Sequence, residues 1–333
     1  MKSIAFFGIK GGTGKTTIVF HLAWMLAERG LRVLMVDLDP QANLTAWSLS
    51  EERIQSLWDQ DAPPTISMAL RPVIEGRKAD ITAIRGQFLS DRLMLLPGDL
   101  SLFRYEDLLS DAWHRCVFEP SNEPAFHRMN AFNDVIRPHA RRLRADVVLI
   151  DLAPNFSAIN RAALITVNSV IFSLTPDHLA VFSLEYMGQV LKEWGITWTT
   201  VTNSVFDPPP ILNLAKGGMR PIGYVLSHLS VVGNGAPALQ PQSTDAIAEA
   251  YAKHVTGEEP PPPGAEDPNC LGQIKNYQSL AAMAYEAHKP MFLLRPADGT
   301  IGGHQRAAHD TYRVFRTLAE RIAYRIGLQL PDT

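Results

Sequence analysis

The residues best suited to chemistry lie at positions 8–17 of this 333-residue chain, which read Gly-Ile-Lys-Gly-Gly-Thr-Gly-Lys-Thr-Thr. Glycines allow the backbone to curl so that successive N–H groups point inward, where they can bind phosphate oxygens. Gly8 lies one residue further from Gly14 than the usual spacing requires. The run Gly14-Lys15-Thr16 is nevertheless typical of the end of a phosphate-binding loop, with a cation for the phosphates and a hydroxyl for Mg²⁺.

The residues on either side place this loop between a strand and a helix. Residues 3–9 form a short apolar run that reaches the first glycine, which predicts a buried strand. From Thr17 onward, apolar residues such as Ile18, Leu22 and Met25 recur at helical spacing. The start of that helix would add partial positive charge at the loop, which favours a bound phosphate.

Two further apolar runs end in carboxylates. Residues 32–38 predict a strand that leads into Asp37 and Asp39, and four apolar residues run directly into Asp151. Groups just past the carboxyl ends of strands lie where open α/β sheets bind ligands, so we expect Asp151 to bind Mg²⁺ through water. The predicted fold class is α/β, a doubly wound and mostly parallel sheet with helices on both faces.

Lys10 is a second lysine that an ordinary phosphate loop does not need. The run from Lys10 to Thr17 resembles the deviant Walker A motif of the ParA/MinD family of P-loop ATPases. The run Asp-Leu-Asp-Pro-Gln from Asp37 looks like the switch segment of the same family. Where the family commonly has two prolines after the aspartate at position 151, this chain has Leu-Ala-Pro, which leaves the following loop less well defined by the resemblance.

The resemblance implies ATP and Mg²⁺ as cofactors and an ATP-dependent homodimer that encloses two nucleotides. In that arrangement Lys10 reaches the phosphates of the partner's nucleotide, Lys15 holds those of its own, and Asp39 orients the attacking water. Asp37 supports Asp39. The implied nucleotide-binding residues are Lys10, Gly11, Gly12, Thr13, Gly14, Lys15, Thr16 and Thr17. The implied Mg²⁺ ligands, direct or through water, are Thr16, Asp39 and Asp151.

The function implied by the resemblance is slow, partner-stimulated ATP hydrolysis that partitions or positions DNA or cargo. Its ATP-bound dimer is expected to bind DNA without sequence preference. Two alternatives stay open at this stage: a MinD-like positioning ATPase that acts at a membrane or on a protein cargo, and a metabolic P-loop enzyme. A metabolic ligase would not require Lys10, and an iron-protein reductase would need cysteines beside the nucleotide motifs, which Cys116 and Cys270 are not.

Composition limits the partners and the compartment. The chain is 46% hydrophobic and 20% charged, as is usual for a globular protein, and its net charge of −3 provides no overall attraction for nucleic acid. DNA binding would therefore need a local basic patch. The two isolated cysteines predict a reducing cytoplasm without disulfides or a zinc site, and no apolar run approaches the ~18 residues of a membrane span.

Two basic stretches are candidates for such a patch. Residues 304–325 predict a helix with apolar residues on one side and basic residues on the other or at its margin: Arg306, Arg313, Arg316 and Arg321. Three interpretations of the basic side stay open: a solvated helix face, a DNA contact, which the resemblance supports, and a helix on a membrane surface. A helix predicted over residues 130–144, kinked or interrupted near Pro138, carries a second run, which we interpret as an ordinary solvated helix face. That run consists of Arg137, His139, Arg141, Arg142 and Arg144.

The resemblance covers most of the chain, and we expect one ParA-like domain over residues 1–333. Three stretches depart from the family pattern and are predicted to be insertions, near residues 46–90, 196–218 and 256–269. The second is expected to be exposed, and the third to be a stiff, proline-rich loop.

Overall fold

The structure is a computed structural model that describes residues 1–74, 84–204, 214–229, 231–232, 236–237 and 241–331. Its centre is an eight-stranded sheet with the order β10-β7-β6-β1-β5-β2-β4-β3. All neighbouring pairs in this sheet are parallel except β3 with β4. A second, two-stranded sheet pairs β8 with β9. The strands are β1 (Lys2–Phe7), β2 (Val33–Asp37), β3 (Gln87–Ser90), β4 (Leu93–Leu96), β5 (Val147–Asp151), β6 (Ser169–Leu174), β7 (Arg220–Leu229), β8 (Val231–Val232), β9 (Ala236–Pro237) and β10 (Cys270–Lys275).

Helices cover both faces of the large sheet, which confirms the predicted fold class. The central strands β2, β5 and β6 are buried along their whole length, because helices pack on both of their sides. The α-helices are α1 (Lys15–Glu28), α2 (Asn43–Ser48), α3 (Glu51–Trp58), α4 (Ile66–Ile74), α5 (Glu106–Phe118), α6 (Glu123–Leu143), α7 (Ala158–Leu164), α8 (His178–Ser204), α9 (Pro241–Tyr251), α10 (Ser279–Ala287) and α11 (Gly303–Ile326). No helix within the described ranges combines the length and apolarity needed to cross a bilayer.

The predicted insertions contain more regular structure than the sequence indicated. Helices α2 to α4 and strand β3 occupy most of residues 46–90. The prediction of an exposed insertion from residue 196 is wrong for its first part, because α8 continues to Ser204 and the Trp198 side chain is fully buried. The Trp198 indole N–H donates to the Ala215 carbonyl at 2.8 Å, so this stretch packs against the core. The Asp207–Pro210 part of the predicted insertion lies outside the described residues.

Helix α6 is longer than predicted and continues through Pro138 without interruption. The interpretation of its basic run as a solvated face is wrong for His139, which is half-buried and has one ring nitrogen 2.7 Å from Val135 O and the other 2.9 Å from Ile84 O. The arginines at the end of the helix are exposed as predicted: Arg141, Arg142 and Arg144.

A buried histidine joins the helix after the phosphate loop to the last helix. His21 on α1 is fully buried and stacks on Phe315 of α11, with ring centroids 4.9 Å apart. Its Nδ1 lies 2.7 Å from Thr17 O, and its Nε2 accepts a hydrogen bond from the Met291 N–H at 3.1 Å. This pair of contacts requires the neutral ring with the proton on Nδ1. Burial lowers the pKa of His21 to about 4.

The free energy of unfolding is therefore expected to carry a pH dependence that belongs to His21. Its pKa is lower in the folded chain than the ordinary 6.5, so the unfolded chain binds the proton first and stability falls as the pH drops from 6.5 towards 4. Between pH 7 and pH 5 this loss amounts to about 2 kcal/mol. Urea unfolding of the wild type and of His21→Gln at both pH values isolates the effect, since the carboxylates titrate in both proteins.

An equal loss of stability in His21→Gln would contradict this assignment. If that variant does not fold, NMR titration of the His21 ring in the wild type gives the pKa directly. A pKa near 6.5 would then refute the lowering of the pKa by burial.

Candidate active site

The phosphate loop has the shape that its glycines predict. Gly12 and Gly14 have φ angles of 72° and 71°, in the left-handed region that glycine adopts without strain. Gly11 and Gly12 are exposed, so their backbone faces the site entrance. Helix α1 begins at Lys15, and no side chain caps its first N–H groups. The loop and the helix start therefore offer a cluster of N–H donors to an anion.

Two serines that sequence reasoning did not single out hold this loop against the sheet. Ser173 of β6 and Ser227 of β7 both donate to the Thr13 carbonyl, at 2.8 and 2.5 Å. Gly8 must be glycine for a related reason, since a Cβ there would lie 2.7 Å from Ser173 O. The loop is thus anchored to strands about 160 and 214 residues away in sequence.

The parallel pairing of β2 with β5 brings the predicted carboxylates together. Asp37 and Asp151 are direct partners in this pairing, and Asp39 follows two residues later. The Thr16 hydroxyl donates to Asp151 Oδ2 at 2.6 Å, which links the loop to β5. The predicted grouping of Thr16 with Asp151 is therefore present in the structure.

The ionisable groups in this site influence one another. Burial lowers the pKa of Lys15, while the carboxylates of Asp151 and Asp39 oppose that effect. Burial raises the pKa of Asp39, and raises that of Asp151 to about 7. Burial also holds the pKa of Asp37 well above its ordinary value, and the nearby Asp151 adds to this shift. Such carboxylates gain most from a bound cation, which would stabilise their charged forms.

The donor set fits Mg²⁺. Asp151 Oδ1 is buried without a hydrogen-bond partner among the described residues, and it belongs to the carboxylate that Thr16 already contacts. Nowhere in the described chain do three or more His, Cys, Asp or Glu side chains group closely enough to hold a metal by themselves. Mg²⁺ characteristically uses one or two carboxylates and takes its remaining ligands from phosphate and water.

Asp37 holds the switch segment in place. Its Oδ2 accepts hydrogen bonds from the Thr45 N–H at 2.8 Å and from the Thr45 hydroxyl at 2.7 Å. Thr45 Oγ1 in turn accepts from the Gly98 N–H at 2.9 Å. Asp37 therefore fixes the position of Thr45, eight residues further along the chain, and its supporting role stays a prediction. Thr45 itself was not predicted.

The Lys10 side chain contacts neither Asp39 nor Asp151 of its own site. Its ammonium group donates to Asp177 Oδ2 at 2.5 Å and to Thr175 Oγ1 at 3.1 Å, both beyond the end of β6. Asp177 Oδ1 also accepts from the Ala180 N–H in the first turn of α8. The Lys10 side chain remains 41% exposed at the entrance to the loop. Sequence reasoning missed Asp177, because only the tertiary fold brings it to residue 10.

The four arginines predicted to contact DNA differ in their environment. Three of them already have acidic partners: Arg313 with Asp310 at 3.1 Å, Arg316 with Glu320 at 2.9 Å, and Arg321 with Glu266 at 2.7 Å. Arg306 is exposed and forms no ion pair with the residues that the structure describes. The opposite side of α11 is buried as predicted, with Phe315, Leu318, Ile322 and Ile326 in the core.

Comparison with known proteins agrees with this geometry. A family model described as an AAA domain matches residues 1–200, more than half of the chain. A putative replication protein A of Rhizobium rhizogenes is 33% identical over 184 residues, which are 55% of this chain and 42% of that protein. A ParA family protein of Chlamydia muridarum is 31% identical over 193 residues, 58% of this chain and 66% of its own length. The matched region is thus less than half of the first of these relatives.

The fold similarity extends further than the sequence similarity. The solved structure of a Cyanothece McdA variant in complex with ATP has a TM-score of 0.62 at 15% identity, and the superposition covers 100% of this chain and 99% of that one. At this identity the comparison concerns the fold alone. Because its family model matches residues 1–200, the chain belongs to the AAA-domain family of P-loop proteins, and ParA family proteins are among its relatives.

Proposed function

We propose that this chain is a ParA-like ATPase that binds ATP and Mg²⁺, pairs with a second copy around two nucleotides, and hydrolyses ATP slowly. The dimer binds duplex DNA without sequence preference, and a partner protein stimulates hydrolysis. Family membership supports nucleotide binding. The relatives named ParA family proteins support the partition or positioning role, and the fold shared with the ATP complex of McdA supports ATP as the nucleotide.

One observation carries the dimer proposal: the position of Lys10. An ordinary phosphate loop needs only Lys15, which is buried beside Asp39 and Asp151. Lys10 is instead held by Asp177 at the entrance, where it is partly exposed and contacts neither Asp39 nor Asp151. A lysine in that place can reach the phosphates of a nucleotide bound to a second copy.

The residues divide the work of hydrolysis by position. Lys15 and the N–H groups of residues 11–16 hold the phosphates, and positioning and electrostatics supply the catalysis. Bound Mg²⁺ would neutralise developing charge on the phosphate oxygens, and Thr16 and Asp151 would hold it. Asp39 orients the attacking water, and Lys10 of the second copy stabilises charge on the transferred phosphoryl group.

Family resemblance supports DNA binding by the dimer and stimulation of hydrolysis by a partner protein. Helix α11 offers Arg306, Arg313, Arg316 and Arg321, and the ion pairs of the last three reduce their attraction for phosphates. A membrane role through this helix is disfavoured, because its apolar side is already part of the core.

Asp39→Ala is expected to bind ATP but to hydrolyse it at least a hundredfold more slowly, since the water loses its orienting carboxylate. With ATP and Mg²⁺, light scattering should then give twice the chain mass of 36.9 kDa. The trapped dimer should bind duplex DNA more tightly than the nucleotide-free protein, and this binding should weaken steeply with salt. If ATP-bound Asp39→Ala stays monomeric, the proposed dimer is refuted. If it dimerises but does not bind DNA at low salt, only the DNA step is refuted.

A further inference from the structure

A row of basic residues lies at the edge of the sheet opposite the phosphate loop, where the parallel strands begin. Lys2 begins β1, Arg32 precedes β2 and Arg92 precedes β4. Backbone hydrogen bonds hold these starts side by side: the Lys2 N–H donates to Asp146 O, the Asp146 N–H to Arg32 O, and the Val33 N–H to Arg92 O. Residues that are far apart in the sequence therefore meet at this edge.

The ends of two helices add to this row. Helix α6 ends here with Arg141 and Arg142 in its last turn and Arg144 as its left-handed C-cap, while Arg29 follows α1. We name these seven residues the amino-edge cluster: Lys2, Arg29, Arg32, Arg92, Arg141, Arg142 and Arg144. The same segments carry three acidic residues, namely Glu28, Asp91 and Asp146. A chain with a net charge of −3 thus concentrates positive charge at this edge.

Most of the cluster is exposed, and its charges have no acidic partners among the described residues. Its five exposed members are Arg32, Arg92, Arg141, Arg142 and Arg144. Within the part of the chain that the structure describes, no member pairs with an aspartate or glutamate. The Asp146 carboxylate accepts instead from the Arg32 backbone N–H, at 2.8 Å. This differs from α11, where most of the arginines are paired with carboxylates.

Helix stabilisation explains only part of the cluster. Arg141 and Arg142 lie where basic residues favour the negative end of a helix, and the Arg92 guanidinium donates to the Gly30 carbonyl just after α1. No such contact involves the side chains of Arg32 and Arg144 within the described residues. The guanidinium groups of Arg32 and Arg144 repel the other basic groups of the cluster, and a bound polyanion would relieve this repulsion.

We propose that the amino-edge cluster binds the phosphate backbone of duplex DNA. Strands β1, β5, β2 and β4 are adjacent, so at a spacing of about 4.8 Å the row spans about 14 Å, or about four phosphates of one DNA strand. Guanidinium groups suit phosphate, because they donate two parallel hydrogen bonds. A membrane surface would require an exposed apolar face, whereas the apolar residues that begin these strands, Val33, Leu93 and Val147, are buried.

DNA binding at this surface would specify where the DNA step of the proposed function takes place. The bridging of two duplexes rests on that function, because it requires the ATP-bound dimer. Nucleotides held between two phosphate loops would place the carboxyl ends of both sheets face to face. The two amino-edge clusters then point outward at opposite ends of the dimer. An ATP-bound dimer could therefore bridge two duplexes, while a single chain would bind only one and more weakly.

The test compares three sets of substitutions that each remove three positive charges. The edge set is Arg32→Gln, Arg141→Gln and Arg144→Gln; the helix set is Arg306→Gln, Arg313→Gln and Arg316→Gln; the control set is Arg53→Gln, Arg104→Gln and Lys253→Gln. Binding to a labelled duplex is measured by fluorescence anisotropy across a salt series, with and without ATP. Bridging is measured as energy transfer between donor-labelled and acceptor-labelled duplexes, in the Asp39→Ala background with ATP.

The edge set is expected to weaken binding tenfold or more, to lower the slope of log affinity against log salt by about 3, and to abolish bridging. The control set should match the unsubstituted protein, and unchanged thermal unfolding of the edge set excludes loss of fold. If the edge set binds DNA as tightly as the control set does, the amino-edge cluster is not the DNA-binding surface. Weaker binding by the helix set would in that case still support the DNA step. Absence of any DNA binding in the unsubstituted protein would remove both proposals. If the same protein then co-sediments with vesicles of an anionic lipid, a membrane replaces DNA as the ligand of this surface.

Discussion

Lys10→Ala is expected to lower the rate of ATP hydrolysis about a thousandfold, while each chain still binds ATP within a few-fold of the wild-type affinity. The factor is that of a cation supplied in trans to a transferring phosphoryl group, for which about 10³ to 10⁵ is typical. We expect turnover to fall without a comparable loss of ATP affinity, because Lys10 contacts Asp177 and Thr175 and none of the buried carboxylates. The measurements are turnover by phosphate release and affinity by calorimetry.

Loss of fold would not explain this result. The Lys10–Asp177 pair is 41% and 36% exposed, and an ion pair in such a position contributes about 1 kcal/mol or less to the free energy of unfolding. Lys192→Ala, which removes an exposed lysine from the middle of α8, serves as the matched control and should keep wild-type turnover. Wild-type turnover in Lys10→Ala would refute the shared site and favour the metabolic enzyme.

Lys15→Ala is expected to weaken ATP binding at least a hundredfold, with or without Mg²⁺. Lys15 is only 6% exposed, and its ammonium group interacts electrostatically with the carboxylates of Asp39 and Asp151. Its loss removes a charge-assisted contact to the phosphates and leaves the charged forms of those carboxylates without a cation to offset their repulsion of the nucleotide. Removal of Lys15 should also raise the pKa of Asp151 above its present value of about 7.

Thr16→Ala distinguishes the phosphate contact from the metal contact in the same loop. This variant keeps Lys15 and the loop backbone, so in EDTA its ATP affinity should match that of the wild type. With Mg²⁺ it should lose the gain that the metal provides, since the hydroxyl beside Asp151 is absent. If Lys15→Ala binds ATP as tightly as Thr16→Ala does in EDTA, Lys15 is not the phosphate-binding lysine.

Local sequence was sufficient for the parts of this protein that act through neighbouring residues. A glycine-rich turn between a strand and a helix has few conformations, so the phosphate loop at residues 8–17 could be predicted without any distant contact. Asp37, Asp39 and Asp151 could be predicted because each follows an apolar run, and parallel strands place their carboxyl ends at one edge. The fold class followed from the same alternation of strands and helices.

Other features depended on pairings that no local pattern contains. The contacts of Ser173 and Ser227 with Thr13 exist only because β6 and β7 pack beside the loop. The same is true of Asp177, which follows β6, a direct neighbour of β1. The burial of Trp198 could not be predicted, because the sequence around it interrupts the family pattern.

Spacing within short segments was enough to locate the loop, its lysines and the carboxylates, and to assign the α/β class. Only the folded chain brings Lys10 into contact with Asp177 and gathers arginines from separate segments at one basic edge. The physical reason is that strand order and register bring together residues more than a hundred positions apart, and charge and hydrogen bonding depend on that proximity.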